Sequence, residues 1–163
     1  MHTEKQLSDA IRRKAREKFE GISEEQVAAL VKVAVTFGYD VRALDDQTYA
    51  EIASRSGEAS GRSKRAIAQR LVVKGIDRET ASAVVADVND LRAAVVLARK
   101  RGFGPFRKAG RTAAREDEAG SGSPDEKRKL KELSAFARAG FSFEIGRMVF
   151  EMQSDEADDI LGG

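Results

Sequence analysis

Cysteine and tryptophan are absent from this chain, and histidine (1), proline (2) and tyrosine (2) are scarce. Without cysteine there are no disulfides and no thiolate metal sites. The single histidine, His2, stands next to the start, where it is expected to be mobile. The usual general base and the commonest metal ligand are therefore missing. Scarce proline leaves helices uninterrupted. No apolar run approaches the length of a membrane span. The opening MHTEKQLSDAIRRK has no hydrophobic core of a signal peptide. A soluble, cytoplasmic protein is the expectation. At 163 residues the chain suffices for one domain or a few small repeats, and its 34% charged content is mixed in sign, which suits solvated helices more than disorder.

What the chain does have is a repeated glycine cadence. Leu71-Val72-Val73-Lys74-Gly75-Ile76-Asp77 aligns without a gap on Phe136-Ala137-Arg138-Ala139-Gly140-Phe141-Ser142. A weaker third copy stands at Val35-Thr36-Phe37-Gly38-Tyr39-Asp40. Glycine ends a helix in the left-handed conformation, and the residue after it packs back one turn. Ile76 is expected on Leu71, and Phe141 on Phe136. Asp77 and Ser142 then stand where the next helix needs an N-cap oxygen. Each copy reads as helix, short corner, helix. Repetition of that unit suits a binding scaffold better than an enzyme.

The rest of the chain reads as short helices. A basic one is expected from Leu7 to Phe19. Ser23 to Gln26 fits a capping box and opens a second, which places Val27, Leu30, Val31 and Ala34 on one stripe and ends at Gly38. Asp45 or Asp46 caps a third, followed by a loop over Ser56–Gly61. Helices over Arg62–Lys74 and Arg78–Val88 follow, and Asp90 caps one that runs to Arg101. From Gly102 to Ser123 periodicity disappears, which indicates a linker. Ser123-Pro124-Asp125-Glu126 restarts helix sharply, with Pro at the first position and Glu closing the box. A last helix covers Phe143 to Met152. The fold class is all-α, with about eight short helices, each too short to stand without its neighbours. The expected organisation is a basic helix over 1–22, three-helix repeats over 23–61 and 62–101, a basic Gly/Ser linker over 102–123, a third repeat over 124–152 and an acidic tail over 153–163.

Net charge is only +2, but its distribution is uneven. Every charged residue from Arg62 to Lys74 is basic: Arg62, Lys64, Arg65, Arg70 and Lys74. The same holds from Arg92 to Arg115, including Arg99, Lys100, Arg101, Arg107 and Lys108. The end reverses sign with Glu151, Asp155, Glu156, Asp158 and Asp159. Such segregation points to a polyanionic partner, nucleic acid or a protein–nucleic acid complex. Phe103 and Phe106 lie inside the second basic run and could stack on bases. They read better as anchors of the linker on the core. The acidic end reads as a disordered solubilising tail, or alternatively as a mask over the basic surface.

No catalytic constellation stands out. Gly102-Phe103-Gly104 lacks the Gly-Lys-Ser/Thr of a phosphate-gripping loop, and no Cys/His spacing suits a metal. The Asp45-Asp46 pair falls at a helix start, where it serves as a cap and favours the helix dipole. No enzyme activity and no cofactor are expected.

Leu44-Asp45-Asp46-Gln47-Thr48-Tyr49-Ala50, Gly61-Arg62-Ser63-Lys64-Arg65-Ala66-Ile67 and Leu71-Val72-Val73-Lys74-Gly75-Ile76-Asp77 occur in this order. Together they resemble the RecX family of RecA regulators. Gly102 to Arg107 and Phe136 to Phe150 are similar to later segments of that family. The resemblance implies three tandem three-helix units in an elongated, curved array, right-handed or superhelical. It implies binding in the groove of a RecA filament on DNA, with inhibition or tuning of ATP turnover, strand exchange and the repair response they serve. Single-stranded DNA is touched indirectly or weakly. No membrane contact is implied, and the protein is expected to be a monomer. The candidate contacts are Arg62, Lys64, Arg65, Arg70, Lys74, Arg99, Lys100, Arg101, Arg107 and Lys108. Asp45, Asp46, Tyr49, Gly75 and Gly140 serve the fold. One departure is that Asp40-Val41-Arg42-Ala43 separates the first glycine cadence from the Asp pair. The alternative is a sequence-tolerant helix-turn-helix DNA binder, although the helix after Gly75 offers few base-reading side chains.

Overall fold

A computed structural model of the chain describes residues 2–107 and 123–162. Among these residues there are nine α-helices, one short 3₁₀ turn and no strand. The helices are α1 (Glu4–Lys18), α2 (Glu24–Asp40), α3 (Asp46–Ala59), α4 (Lys64–Val73), α5 (Arg78–Val84) and α6 (Asp90–Arg101). The 3₁₀ turn Gly104–Phe106 follows, then α7 (Pro124–Arg138), α8 (Phe143–Glu151) and α9 (Ser154–Gly162).

The helix starts are fixed by side-chain oxygens that take up backbone N–H groups left unpaired in the first turn. Ser23 and Gln26 form one capping box, and Ser123 and Glu126 another. Asp77 and Ser142 cap α5 and α8 through the N–H groups of Thr80 and Ile145. Asp45, not Asp46, caps α3, accepting from the Thr48 N–H at 2.8 Å. Two starts differ from expectation. Thr3 and Gln6 form a capping box that opens α1 at Glu4, before Leu7. Asn89 caps α6, because the Asp90 carboxylate accepts instead from the Lys64 N–H at 2.6 Å.

Gly75 and Gly140 close α4 and α7 with the paired carbonyl bonds of a left-handed corner. Ile76 and Gly75 donate to Leu71 and Val72, and Phe141 and Gly140 donate to Phe136 and Ala137. Their φ values are +98° and +89°. Ile76 and Leu71 are both buried, and Phe141 meets Phe136 edge-on with centroids 6.1 Å apart. The third copy does not form a corner. Gly38 lies inside α2, where a Cβ would stand 2.9 Å from Leu44 Cδ1. The helix runs two residues further, to Asp40, and Arg42 takes the left-handed position at φ 54°. Ala43 and Arg42 then donate to Gly38 and Tyr39 in the same paired pattern. Asp40 to Ala43 is thus the end of the helix and its cap.

One joint is made twice. The Thr3 hydroxyl accepts from the Gln6 N–H and donates at 2.7 Å to the carbonyl of Lys74, next to Gly75. The Ser63 hydroxyl accepts from the Ala66 N–H and donates at 2.8 Å to the carbonyl of Ala139, next to Gly140. Each glycine faces its capping segment. A Cβ on Gly75 would strike Lys5, two residues after Thr3, and one on Gly140 would come within 2.6 Å of Ser63 Oγ.

The described chain divides into two compact units, Met1–Ser54 with Ala68–Ala86, and Arg55–Ile67 with Asp87–Gly163. In the first, α1 lies against α2, and Val27, Val31, Leu44, Ala50, Leu71, Ile76 and Ala81 are buried. His2, expected to be mobile, is held by a backbone bridge to Leu44. The second unit packs α6 against α8 and α9, and α7 against α8, around Val95, Ala98, Phe136, Phe141 and Val149.

Several further expectations need correction. Leu30 is exposed, not inward. The Ser56–Gly61 loop is largely helix, since Gly57 gives α3 the clearance to pass Ile67. Gly102 to Arg107 is folded, with Phe103 edge-on to Phe136 at 5.9 Å and Phe106 against the same core. The acidic end is helix α9, docked through a completely buried Ala157 and flanked by Ile160 and Leu161.

Two substitutions test the corners. Gly140→Ala places a side chain at positive φ and displaces Ser63 Oγ, and is expected to cost about 3 kcal/mol. Arg42→Gly removes left-handed strain and is expected to add about 1 kcal/mol. Denaturant midpoints read both. The caps carry a pH dependence as well. The Thr48 N–H and hydroxyl hold Asp45 below the ordinary carboxylate range, and Thr80 does the same for Asp77. A lowered pKa contributes stability that is complete above the unfolded value and is lost as pH falls through the folded value. The melting-temperature deficit of Asp45→Ala should therefore shrink between neutral and strongly acidic pH. Asp46, raised by burial, contributes with the opposite sign.

Candidate basic binding surface

The second unit gathers cations at the start of α4. Gly61 turns the chain from α3 into α4 directly against α6, where its Cβ would stand 2.9 Å from the Leu97 nitrogen. Ser63, fully buried, caps α4 and holds the Ala139 carbonyl, while Asp90 holds the Lys64 N–H. This fixes the backbone under Arg62, Lys64 and Arg65. Arg62 and Arg65 are exposed, and Lys64 is half-buried.

The last turn of α6 adds Arg99, Lys100 and Arg101, all exposed. Cations here also complement the negative end of the helix dipole. Lys100 Nζ donates to the Ser60 carbonyl at 2.9 Å, which draws the α6 terminus to the corner that carries Arg62. Arg138 escaped the sequence reading. It is exposed in the last turn of α7, next to the Ala139 carbonyl that Ser63 holds. The signal available was its place two residues before the cadence glycine.

Arg70 lies on the part of α4 that belongs to the first unit, and Lys74 follows the end of that helix. Arg70 is exposed and Lys74 half-buried. There Lys5 Nζ donates to the Val73 carbonyl at 3.2 Å, a cation on the end of α4. In the same unit Tyr39 donates to Glu4 at 2.9 Å. Burial, that bond and the Asp46, Glu4 and Asp45 carboxylates push its hydroxyl up to about 12. Lys108 lies outside the described residues.

Arg107 has a different place. Its guanidinium donates through two nitrogens to Glu132 at 2.9 and 2.8 Å and lies 4.1 Å over the Phe150 ring. Glu132 is 4% exposed and also accepts from the Gly104 N–H at 3.0 Å. A buried carboxylate with these partners is a fold element, and Arg107 is committed to it. Among the described residues no group of three or more His, Asp or Glu is placed to hold a metal ion, and no helix is long and apolar enough to cross a membrane.

The family model for the second three-helix domain of RecX matches residues 45–85, from the α3 cap to the residue after α5. The regulatory protein RecX of Agrobacterium fabrum (strain C58 / ATCC 33970) is 58% identical over 161 residues, which cover 99% of this chain and 80% of that relative. The chain belongs to the RecX family. The regulatory protein RecX of Myxococcus xanthus (strain DK1622) is 38% identical over 138 residues, or 82% of this chain and 67% of the relative. Both RecX relatives are named as regulatory proteins, not as enzymes. No solved structure matches the chain. Of the basic residues, Arg62, Lys64, Arg65, Arg70 and Lys74 fall inside the matched RecX domain, and Arg99, Lys100, Arg101 and Arg107 fall outside it.

Removing the carboxylate beneath Arg107 isolates the worth of that anchor. Glu132→Ala leaves a half-buried guanidinium and the Gly104 N–H without their acceptor, and is expected to cost about 3 kcal/mol in urea unfolding.

Proposed function

We propose that this protein binds RecA and RecA–DNA filaments and restrains the recombinase, with the basic group at the start of α4 as a principal contact. Membership of a family of regulatory proteins supports this reading. The observation that carries it is the anchored corner. Ser63, Asp90 and Lys100 hold two basic clusters, at the start of α4 and the end of α6, together with Arg138 from the end of α7, within one unit. A pre-set cluster suits a regular polyanion better than cations on mobile loops, because the contacts cost less ordering entropy. Arg62, Lys64, Arg65, Arg99, Lys100 and Arg101 are the proposed contacts in this unit. Arg138 joins them by position, and Arg70 and Lys74 are proposed as separate contacts of the first unit.

The helix-turn-helix alternative gains nothing from the fold. Helix α5, which follows the Gly75 corner, has 7 residues and presents only Arg78, Glu79, Thr80 and Ser82 as polar readers.

The test is the single-stranded-DNA-dependent ATPase rate of RecA with this protein titrated in. Inhibition at less than one protein per RecA is expected. Arg62→Ala with Arg65→Ala should raise the half-inhibiting concentration about tenfold and weaken the salt dependence. No effect at excess, from protein that is helical by circular dichroism, rejects the reading.

A further inference from the structure

Helix α2 is apolar on two sides, and among the described residues only one of them is covered. Val27, Val31 and Gly38 face inward and are buried. Leu30, Val33 and Phe37 follow one another at i, i+3 and i+7 on another side, 43%, 69% and 64% exposed. A helix apolar all round is ordinarily enclosed on all sides. Here the uncovered stripe meets Phe19 of the α1–α2 junction, itself 55% exposed. Large apolar side chains gathered on a surface mark a contact site, where isolated ones do not.

These residues wall a trough along the α1–α2 hairpin. Two adjoining hollows of about 370 and 570 Å³ share Phe19, Leu30 and Val33. Ala15 and Ala34 line the smaller hollow, and Ala29 the larger. From Gln26 to Phe37 the trough follows α2 for roughly 16 Å, three turns of helix. Charge is one-sided along the smaller hollow, where the only ionisable lining residues are Lys14 and Lys18 of α1. The larger hollow ends at Glu20. All of this lies in the first unit and differs in chemistry from the basic group around Ser63.

We propose that this trough docks an amphipathic helix of another protein, one with apolar anchors at i, i+3 or i+4, and i+7 and acidic residues along the edge that meets Lys14 and Lys18. An apolar stripe of that spacing is what a helix-in-groove contact reads. The lysine edge sets direction and selects against basic helices. Two copies of this chain, paired through the same patch, would bring like-charged edges together. The inference stands independently of filament binding.

The probe is a fluorescein-labelled helical peptide of about fifteen residues, with Leu at the anchor spacing and Glu on the flanking positions, and a twin with Lys replacing each Glu. Anisotropy against the full chain should show the Glu peptide binding about tenfold tighter than its twin. Lys14→Glu with Lys18→Glu should reverse that preference. Val33→Ser should weaken binding about tenfold, with an unchanged melting temperature because Val33 is largely exposed. Failure of both peptides to bind overturns the proposal, as does equal binding of the two. Concentration-dependent dimerisation abolished by Val33→Ser would assign the trough to a second copy. Stronger partition onto phosphatidylserine vesicles than onto the peptide, again lost in Val33→Ser, would assign it to a membrane.

Discussion

The hydroxyl joint made by Thr3 and again by Ser63 is the interaction on which the architecture rests. Helices of 7 to 17 residues leave much of their backbone unpaired at the ends, because each helix leaves four N–H and four C=O groups without intrahelical partners. One hydroxyl serves two such ends at once. It accepts from the first turn of its own helix and donates to the last carbonyl before a glycine far along the chain. The glycine is required twice over, for its left-handed backbone and for its bare Cα, against which the capping segment lies. The repeated cadence is therefore the visible half of a two-part device. The other half, a Ser or Thr at an N-cap, carries no distinctive local signature.

Much of the fold was legible because its determinants are local. Capping boxes at Ser23 and Ser123, caps at Asp77 and Ser142, and the hydrophobic staples across Gly75 and Gly140 all lie within a few residues. The misreadings share one physical cause. Gly38 and Gly57 look like helix breakers, but each is a helical residue kept small by a side chain from beyond its own helix, Leu44 or Ile67. Asp90 looks like a cap until Lys64 claims its carboxylate. The final acidic segment looks unfolded by composition, yet the small Ala157 fits completely into the core.

The candidate surface was legible as charge and illegible as geometry. Unbroken runs of Arg and Lys announced themselves, but which cations are held together depends on Ser63, Asp90 and Ser60, none of which carries a positive charge. Arg107 shows the converse. It stands in a basic run, and its fate is decided by a glutamate on another helix. Likewise, the α2 pattern reads as one broad apolar stripe. Only packing separates the buried Val27 and Val31 from the exposed Leu30 and Val33.

The Arg107–Glu132 pair also fixes two points of the backbone on either side of residues 108–122. Arg107 precedes that segment, and Glu132 sits on the helix that follows it. The pair closes a contact between residues 25 apart through side chains alone, so the placing of the Gly104 turn against α7 depends on one carboxylate. The turn and the helix therefore behave as one mechanical element, although the sequence sets them apart, and a load applied to either is carried to the other through a guanidinium.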